Sequence, residues 1–182
     1  MTALDPQKLI GDTLRLGTIE TIDLAQASCR VRVGEIVTGD IPWFAARAGA
    51  TRTWSPPSVG EQCLLICPEG DEEAGLALLG IYSDANPAPS AEDLHLVLFK
   101  DGALISYDPK SHELAANLPA GGKLSVNAPG GVSIVGPVHV EGAVTCSETI
   151  TADQDVVGGG KSLKDHVHTK VQAGGAVSGP PQ

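Results

Sequence analysis

From residue 14 onward, apolar and polar positions alternate in short runs, and Gly, Asp, Asn or Pro ends each run. This rhythm and the β-branched content predict strands over Leu16–Ile22, Ser28–Val33, Thr38–Ile41, Glu61–Ile66 and Leu76–Ile81. Five short strands within residues 14–85 suit a small OB-fold-like barrel, and a five-stranded barrel of another topology fits the same pattern. Ahead of them, residues 1–13 form an N-terminal segment with room for a short helix around Pro6–Ile10. The polar run SDANPAPSAED at 83–93 interrupts the pattern, because Pro87 and Pro89 forbid regular pairing.

A different rhythm follows. Val126, Val132, Val138, Val144, Ile150 and Val156 recur every six residues. Two positions after most of them stands another small or apolar residue: Ala128, Ile134, Val140, Cys146 and Ala152. Two positions before three of them stands a glycine: Gly130, Gly136 and Gly142. Each unit therefore reads as a strand of three or four residues and a corner, as the rungs of a β-helix require. A single-chain hexapeptide prism uses roughly 18 residues per coil. The tract would then give fewer than two coils, too few to bury a core. A prism shared by three identical chains removes that difficulty and makes folding inseparable from trimerisation. The expected division is an N-terminal segment at 1–13, a barrel at 14–85, a linker at 86–94, an intertwined shaft at 95–157 and an apex at 158–182.

Composition narrows the function classes. The chain has 182 residues, with 12 basic and 22 acidic side chains and a formal charge of −10. No basic cluster is present to displace counterions, so a nucleic-acid partner is not expected. Aromatic residues are only 3%, which suits a narrow interior better than a broad core. Neither a signal-peptide pattern nor a run of 18 apolar residues appears in the sequence. No nucleophile elbow, P-loop, zinc-protease motif or paired-carboxylate signature is visible either.

The cysteines, Cys29, Cys63, Cys67 and Cys146, read as reduced structural thiols. Cys63 and Cys67 would share one strand face with Leu65, and no second pair completes a zinc site. His95, His112 and His139 carry no ligand-like spacing, and the hexad register turns His139 toward solvent. Asp153 and Asp155 form D-x-D, and GDEE at 70–73 reads as an acidic turn; both are expected as solvated features. Trp43 and Trp54 flank a loop rich in Ala and Arg that suits packing or a partner surface.

The pair His166 and His168 differs from the other histidines. It lies in KSLKDHVHTKV, just after Gly158, Gly159 and Gly160, which would let the chain leave the prism and taper. In an extended segment both rings point the same way. One chain supplies two imidazoles; three chains on an axis supply six, an octahedral nitrogen set suited to Fe(II) or another first-row divalent ion. The alternative is an exposed pair near a frayed terminus.

The order of parts resembles the central spike, or baseplate assembly protein V, of contractile phage tails and R-type bacteriocins, most closely its P2-like members. The resemblance rests on SVGEQCLLICPEGD…GLALLGIYS at the barrel end, the Gly-broken hexads, and KSLKDHVHTKV. It implies an all-β homotrimer with an N-terminal OB-fold, a triple-stranded β-helix and a pointed apex. His166 and His168 would match the apex histidines that hold one iron ion per trimer on the three-fold axis. Some relatives also hold calcium or chloride in the shaft, which the resemblance does not place on residues here. The barrel would attach to the tail hub, and sheath contraction would drive the apex through the bacterial outer membrane. The particle would be a phage virion tail baseplate or a bacteriocin, assembled in the bacterial cytoplasm.

Two other classes share parts of this pattern. A hexapeptide-repeat acyltransferase has the same period, but Asn127, Ser133 and His139 stand where a glycine would follow the aliphatic residue. A glycan- or peptide-binding module on a β stalk would use the Trp43 and Trp54 loop. The resemblance favours a non-enzymatic role.

Overall fold

The computed structural model describes residues 11, 13–167 and 174–175. The helix expected around Pro6–Ile10 lies outside the described residues, as does His168. Among the described residues the fold is all-β, built from three separate sheets. After Ser125 the chain divides into two compact units.

The largest sheet of the first unit contains β1 (Leu14–Asp23), β2 (Ser28–Val33), β3 (Ile36–Val37), β4 (Ile41–Pro42), β5 (Gln62–Ile66) and β6 (Leu76–Ile81). Its order is β3-β2-β1-β5-β6, with β4 also pairing β2, and every pairing is antiparallel. β1 is the central strand. Its register against β2 shifts between Ile19 and Thr21, an irregularity that bends a strand and increases its twist. Just beyond β4, Trp43 makes a parallel bridge to Ala77 of β6. The Phe44 N–H donates to the Ala77 carbonyl at 2.9 Å. One residue pair thus ties the two margins of the sheet together.

Alternation along these strands places Ile19, Cys29, Val31, Ile41, Cys63, Leu65, Cys67 and Ala77 in one buried cluster. Cys63, Leu65 and Cys67 share a face, as their spacing predicts. Burial pushes the thiols of Cys29 and Cys63 up to about 11, so both stay protonated and packed at neutral pH. Long polar side chains cover the outer face. Arg30 pairs with Asp40 at 2.8 Å, and Arg32 pairs with Glu20 at 2.6 Å. These exposed pairs orient side chains and add little stability.

The expected third strand, Thr38–Ile41, is corrected by the structure. The chain forms two short strands, β3 and β4, on either side of Thr38–Asp40. Thr38 is buried, and its hydroxyl accepts the Val31 N–H at 3.0 Å and donates to the Gly39 carbonyl at 2.8 Å. A side chain takes a position in the β2 ladder, so the backbone turns instead of continuing.

A second sheet of the first unit is the antiparallel meander β7 (His95–Leu98), β8 (Leu104–Asp108) and β9 (Glu113–Asn117). The β8–β9 turn places His112 at φ +59°, and the Asp108 carboxylate accepts the Lys110 N–H at 2.7 Å. Val97, Leu98, Ile105 and Leu114 stay exposed on this sheet.

Close packing of β1 on β2 leaves no room at Gly17. A Cβ there would collide with Val31 Cγ1 and lie 3.0 Å from both the Arg32 carbonyl oxygen and Val33 Cγ2. Gly17→Ala is expected to destabilise the unit by about 1–3 kcal/mol, the range for overpacking. Denaturant unfolding checks this, and an unchanged midpoint would show that the β1–β2 contact yields freely.

Candidate functional site

The second unit opens with the hexad tract. Between Val126 and Val156 no strand forms. Every residue from 116 to 161 is exposed. The aliphatic residues that define the period, Val126, Val132, Val138, Val144 and Ile150, are 62–70% exposed, where a self-sufficient shaft would bury them. Within residues 118–155, the backbone-to-backbone hydrogen bonds belong to turns: Gly122 N–H to the Pro119 carbonyl and Gly131 N–H to the Ala128 carbonyl, both 2.8 Å.

The backbone nevertheless repeats at two of the three hexad glycines, Gly136 and Gly142, whereas at the first the positive φ falls on Gly131 and not Gly130. Gly136 has φ +133° and Gly142 has φ +141°, one hexad apart and nearly identical. A side chain at either position would meet no neighbour within 4 Å, so glycine is needed there for its backbone angle alone. His139 faces solvent beside Glu141 at 3.5 Å, and Cys146 is a free, exposed thiol.

At the far end of the tract the chain folds on itself. β10 (Val157–Gly158) and β11 (Lys161–Ser162) form an antiparallel hairpin. Its turn residues, Gly159 at φ +58° and Gly160 at φ +77°, meet the positive-φ requirement of a tight two-residue hairpin turn. The Leu163 N–H returns to the Val156 carbonyl at 2.9 Å.

Asp155 anchors this hairpin. Its Oδ1 accepts the Val156 N–H at 2.8 Å and the Lys164 N–H at 3.2 Å. The Ser162 hydroxyl, followed by the backbone N–H groups of Lys164, Val156 and Leu163, holds its carboxyl below the usual carboxylate range. The expectation of a merely solvated D-x-D corner missed this role. Its only sequence signal is an acidic residue two positions before a short strand that runs into three glycines.

His166 sits at the end of the same network. The Asp165 N–H donates to Ser162 Oγ at 2.8 Å, and His166 Nδ1 lies 3.0 Å from the Leu163 carbonyl oxygen. A carbonyl only accepts, so Nδ1 carries the proton of that bond, and the neutral ring has its lone pair on Nε2. This is the second-sphere arrangement by which proteins orient metal-binding imidazoles. His168, its sequence partner, lies outside the described residues. Among the described residues of one chain, no three His, Cys, Asp or Glu side chains gather as a metal site.

In the first unit, the segment between β4 and β5 presents an aromatic surface. The rings of Trp43 and Trp54 lie 5.6 Å apart at 52°. Arg47 and Thr53 are bonded across the loop, Thr53 N–H to Arg47 carbonyl at 3.0 Å. The loop with Arg47 and Arg52 lines a cleft of about 470 Å³.

Comparison with known proteins agrees with the order of these parts. Residues 15–82 match the family described as the type VI secretion system/phage-baseplate injector OB domain. Most of the chain resembles the spike protein of Escherichia phage P2, with 37% identity over 176 residues, covering 94% of this chain and 79% of that protein. The repeat that lacks partners within one chain thus lies inside a likeness extending well beyond the β1–β6 domain. The chain belongs to the phage-baseplate spike family, as a structural component of a virion tail baseplate and not an enzyme.

Proposed function

We propose that the chain is the membrane-piercing central spike of its tail, working as a homotrimer. Residues 14–85 form an OB-type barrel that docks on the tail hub. Of the expected shaft at 95–157, residues 95–117 pair within their own chain; the part from 126 to 157 winds with two identical chains into a triple-stranded β-helix, and the apex crosses the bacterial outer membrane when the sheath contracts. The observation that carries this reading is the hexad tract. It repeats in backbone angle at Gly136 and Gly142 while leaving its aliphatic positions exposed and its backbone without a sheet partner in one chain. Two further copies would supply both the partners and the cover.

The mechanism is mechanical. Each strand of a shared prism pairs with neighbouring chains, so pulling one out exposes core and breaks hydrogen bonds in the same step. A formal charge of −10 per chain gives −30 for three, which keeps the shaft soluble and repels nucleic acid.

The residues present fit a metal at the tip. His166 has the imidazole orientation of a ligand, with Nδ1 held by a carbonyl. With His168, three chains would offer six neutral nitrogens, a set suited to Fe(II). The ion would tie three chain ends together and resist splaying under load. Calcium or chloride in the shaft remains part of the family-based proposal, with no residue assigned.

Native mass spectrometry of untagged protein, read with elemental analysis, tests the assembly. Three chains and close to one transition-metal ion per trimer are expected. The double variant His166→Ala, His168→Ala should lose the metal and remain trimeric. A folded monomer would contradict the assembly, and wild-type trimer without metal would contradict the tip. Gly136→Ala and Gly142→Ala test the repeat separately, since open space surrounds both glycines. Each should lower trimer stability by about 1–3 kcal/mol per chain through backbone strain, and unchanged thermal melting would show that these corners relax without penalty.

A further inference from the structure

The metal reading above names the histidines and leaves open what holds the tip in shape before an ion arrives. The β10–β11 hairpin has two residues per strand, too short to be stable alone in water. Its turn is made of glycines, the residues that lose most freedom on ordering. Something else must close it.

The bonds of the hairpin lead to one side chain. Asp155 Oδ1 spans from the Val156 N–H to the Lys164 N–H, nine residues away, and so joins the start of the hairpin to the segment beyond its second strand. Ser162 Oγ accepts the Asp165 N–H at 2.8 Å, one residue before the imidazole. Leu163 is held from both sides: its N–H bonds the Val156 carbonyl, and its own carbonyl accepts from the His166 ring. A continuous series of hydrogen bonds therefore runs from the carboxylate to the imidazole within one chain. Asp155 lies eleven positions before His166, so no sequence proximity imposes this link.

We propose that Asp155 is the positioning residue of the apex: its carboxylate closes the 155–166 hairpin and presents His166 to a first-row divalent ion. The proposal rests on the metal reading of the apex. Asp155 is not itself a ligand in it. It acts by fixing the Leu163 carbonyl, which in turn fixes the ring and its tautomer. Each chain would arrive at the trimer axis with a preformed fragment of the site, which reduces the ordering that metal capture requires.

The test uses full-length, chelator-treated trimer titrated with Co(II), in the wild type, Asp155→Ala and Asp155→Asn. Loss of an outer-sphere partner weakens metal affinity about 10–100-fold, and Asp155→Ala is expected in that range. Asn retains an acceptor oxygen at the same position, so Asp155→Asn should lose clearly less. Amide hydrogen exchange at Lys164 in the metal-free protein should be faster in Asp155→Ala, and shaft melting should not change. Equal Co(II) affinity in wild type and Asp155→Ala overturns the proposal alone. So does a loss in Asp155→Asn as large as in Asp155→Ala, which would assign the effect to charge and not to hydrogen bonding. A fall in shaft melting that accompanies the affinity loss also overturns it, by making Asp155 a general stability residue. Wild-type trimer that takes up no Co(II) overturns the metal reading, and this role with it.

Discussion

Backbone hydrogen bonding in the hexad tract is the constraint on which the rest depends. An extended chain needs its N–H and C=O groups paired with another strand or with water. Residues 126–156 keep a six-residue period in sequence and matching backbone angles at Gly136 and Gly142, yet the chain forms no strand there and leaves their aliphatic side chains exposed. A monomer has no physical reason to maintain such a repeat, since the conformational entropy of ordering it would go unopposed. Sheet partners from identical chains, as proposed, would resolve this and suit the composition. The interior of such a prism would be narrow, a space for Val, Ile, Ala and Cys more than for aromatic residues. Gly136 and Gly142 take nearly the same positive φ one hexad apart, and in the proposed trimer such corners would let three chains keep one register.

The two units meet different physical demands. The β1–β6 sheet buries its own core around Ile19, Val31, Ile41 and Leu65, so it has the apolar cluster that the hexad tract lacks. It also carries Trp43 and Trp54 with Arg47 and Arg52, side chains of the kind that dominate protein interfaces. In the second unit, hydrogen bonds from Asp155 and Ser162 tie the 155–166 hairpin together, where every residue but Ser162 is exposed.

Period and punctuation made most of this legible in the sequence. Alternation located β2 and β6 with their observed limits, and β1 and β5 to within two residues, because one face of each strand is buried and the other solvated. Thr38 escaped because its side-chain bonds to Val31 and Gly39 override strand propensity, and propensity carries no record of such long-range partners. The hexads announced a repeat, and the three glycines announced a change of course, which became the Gly159–Gly160 turn. Asp155 was hidden because its function depends on Lys164, nine residues away, being brought back by that turn. The H-x-H spacing singled out His166 in the sequence, whereas the bond between its ring and the Leu163 carbonyl required their three-dimensional placement.

The central claim is that residues 126–156 obtain their sheet partners from other copies of the chain. Residue-resolved amide hydrogen exchange on the untagged protein measures this directly. The account predicts strong protection recurring through the tract, interrupted near the Gly136 and Gly142 corners, despite the absence of partners within one chain. Exchange of these amides at the rates of an unstructured peptide, in protein whose β1–β6 sheet is protected, would contradict it.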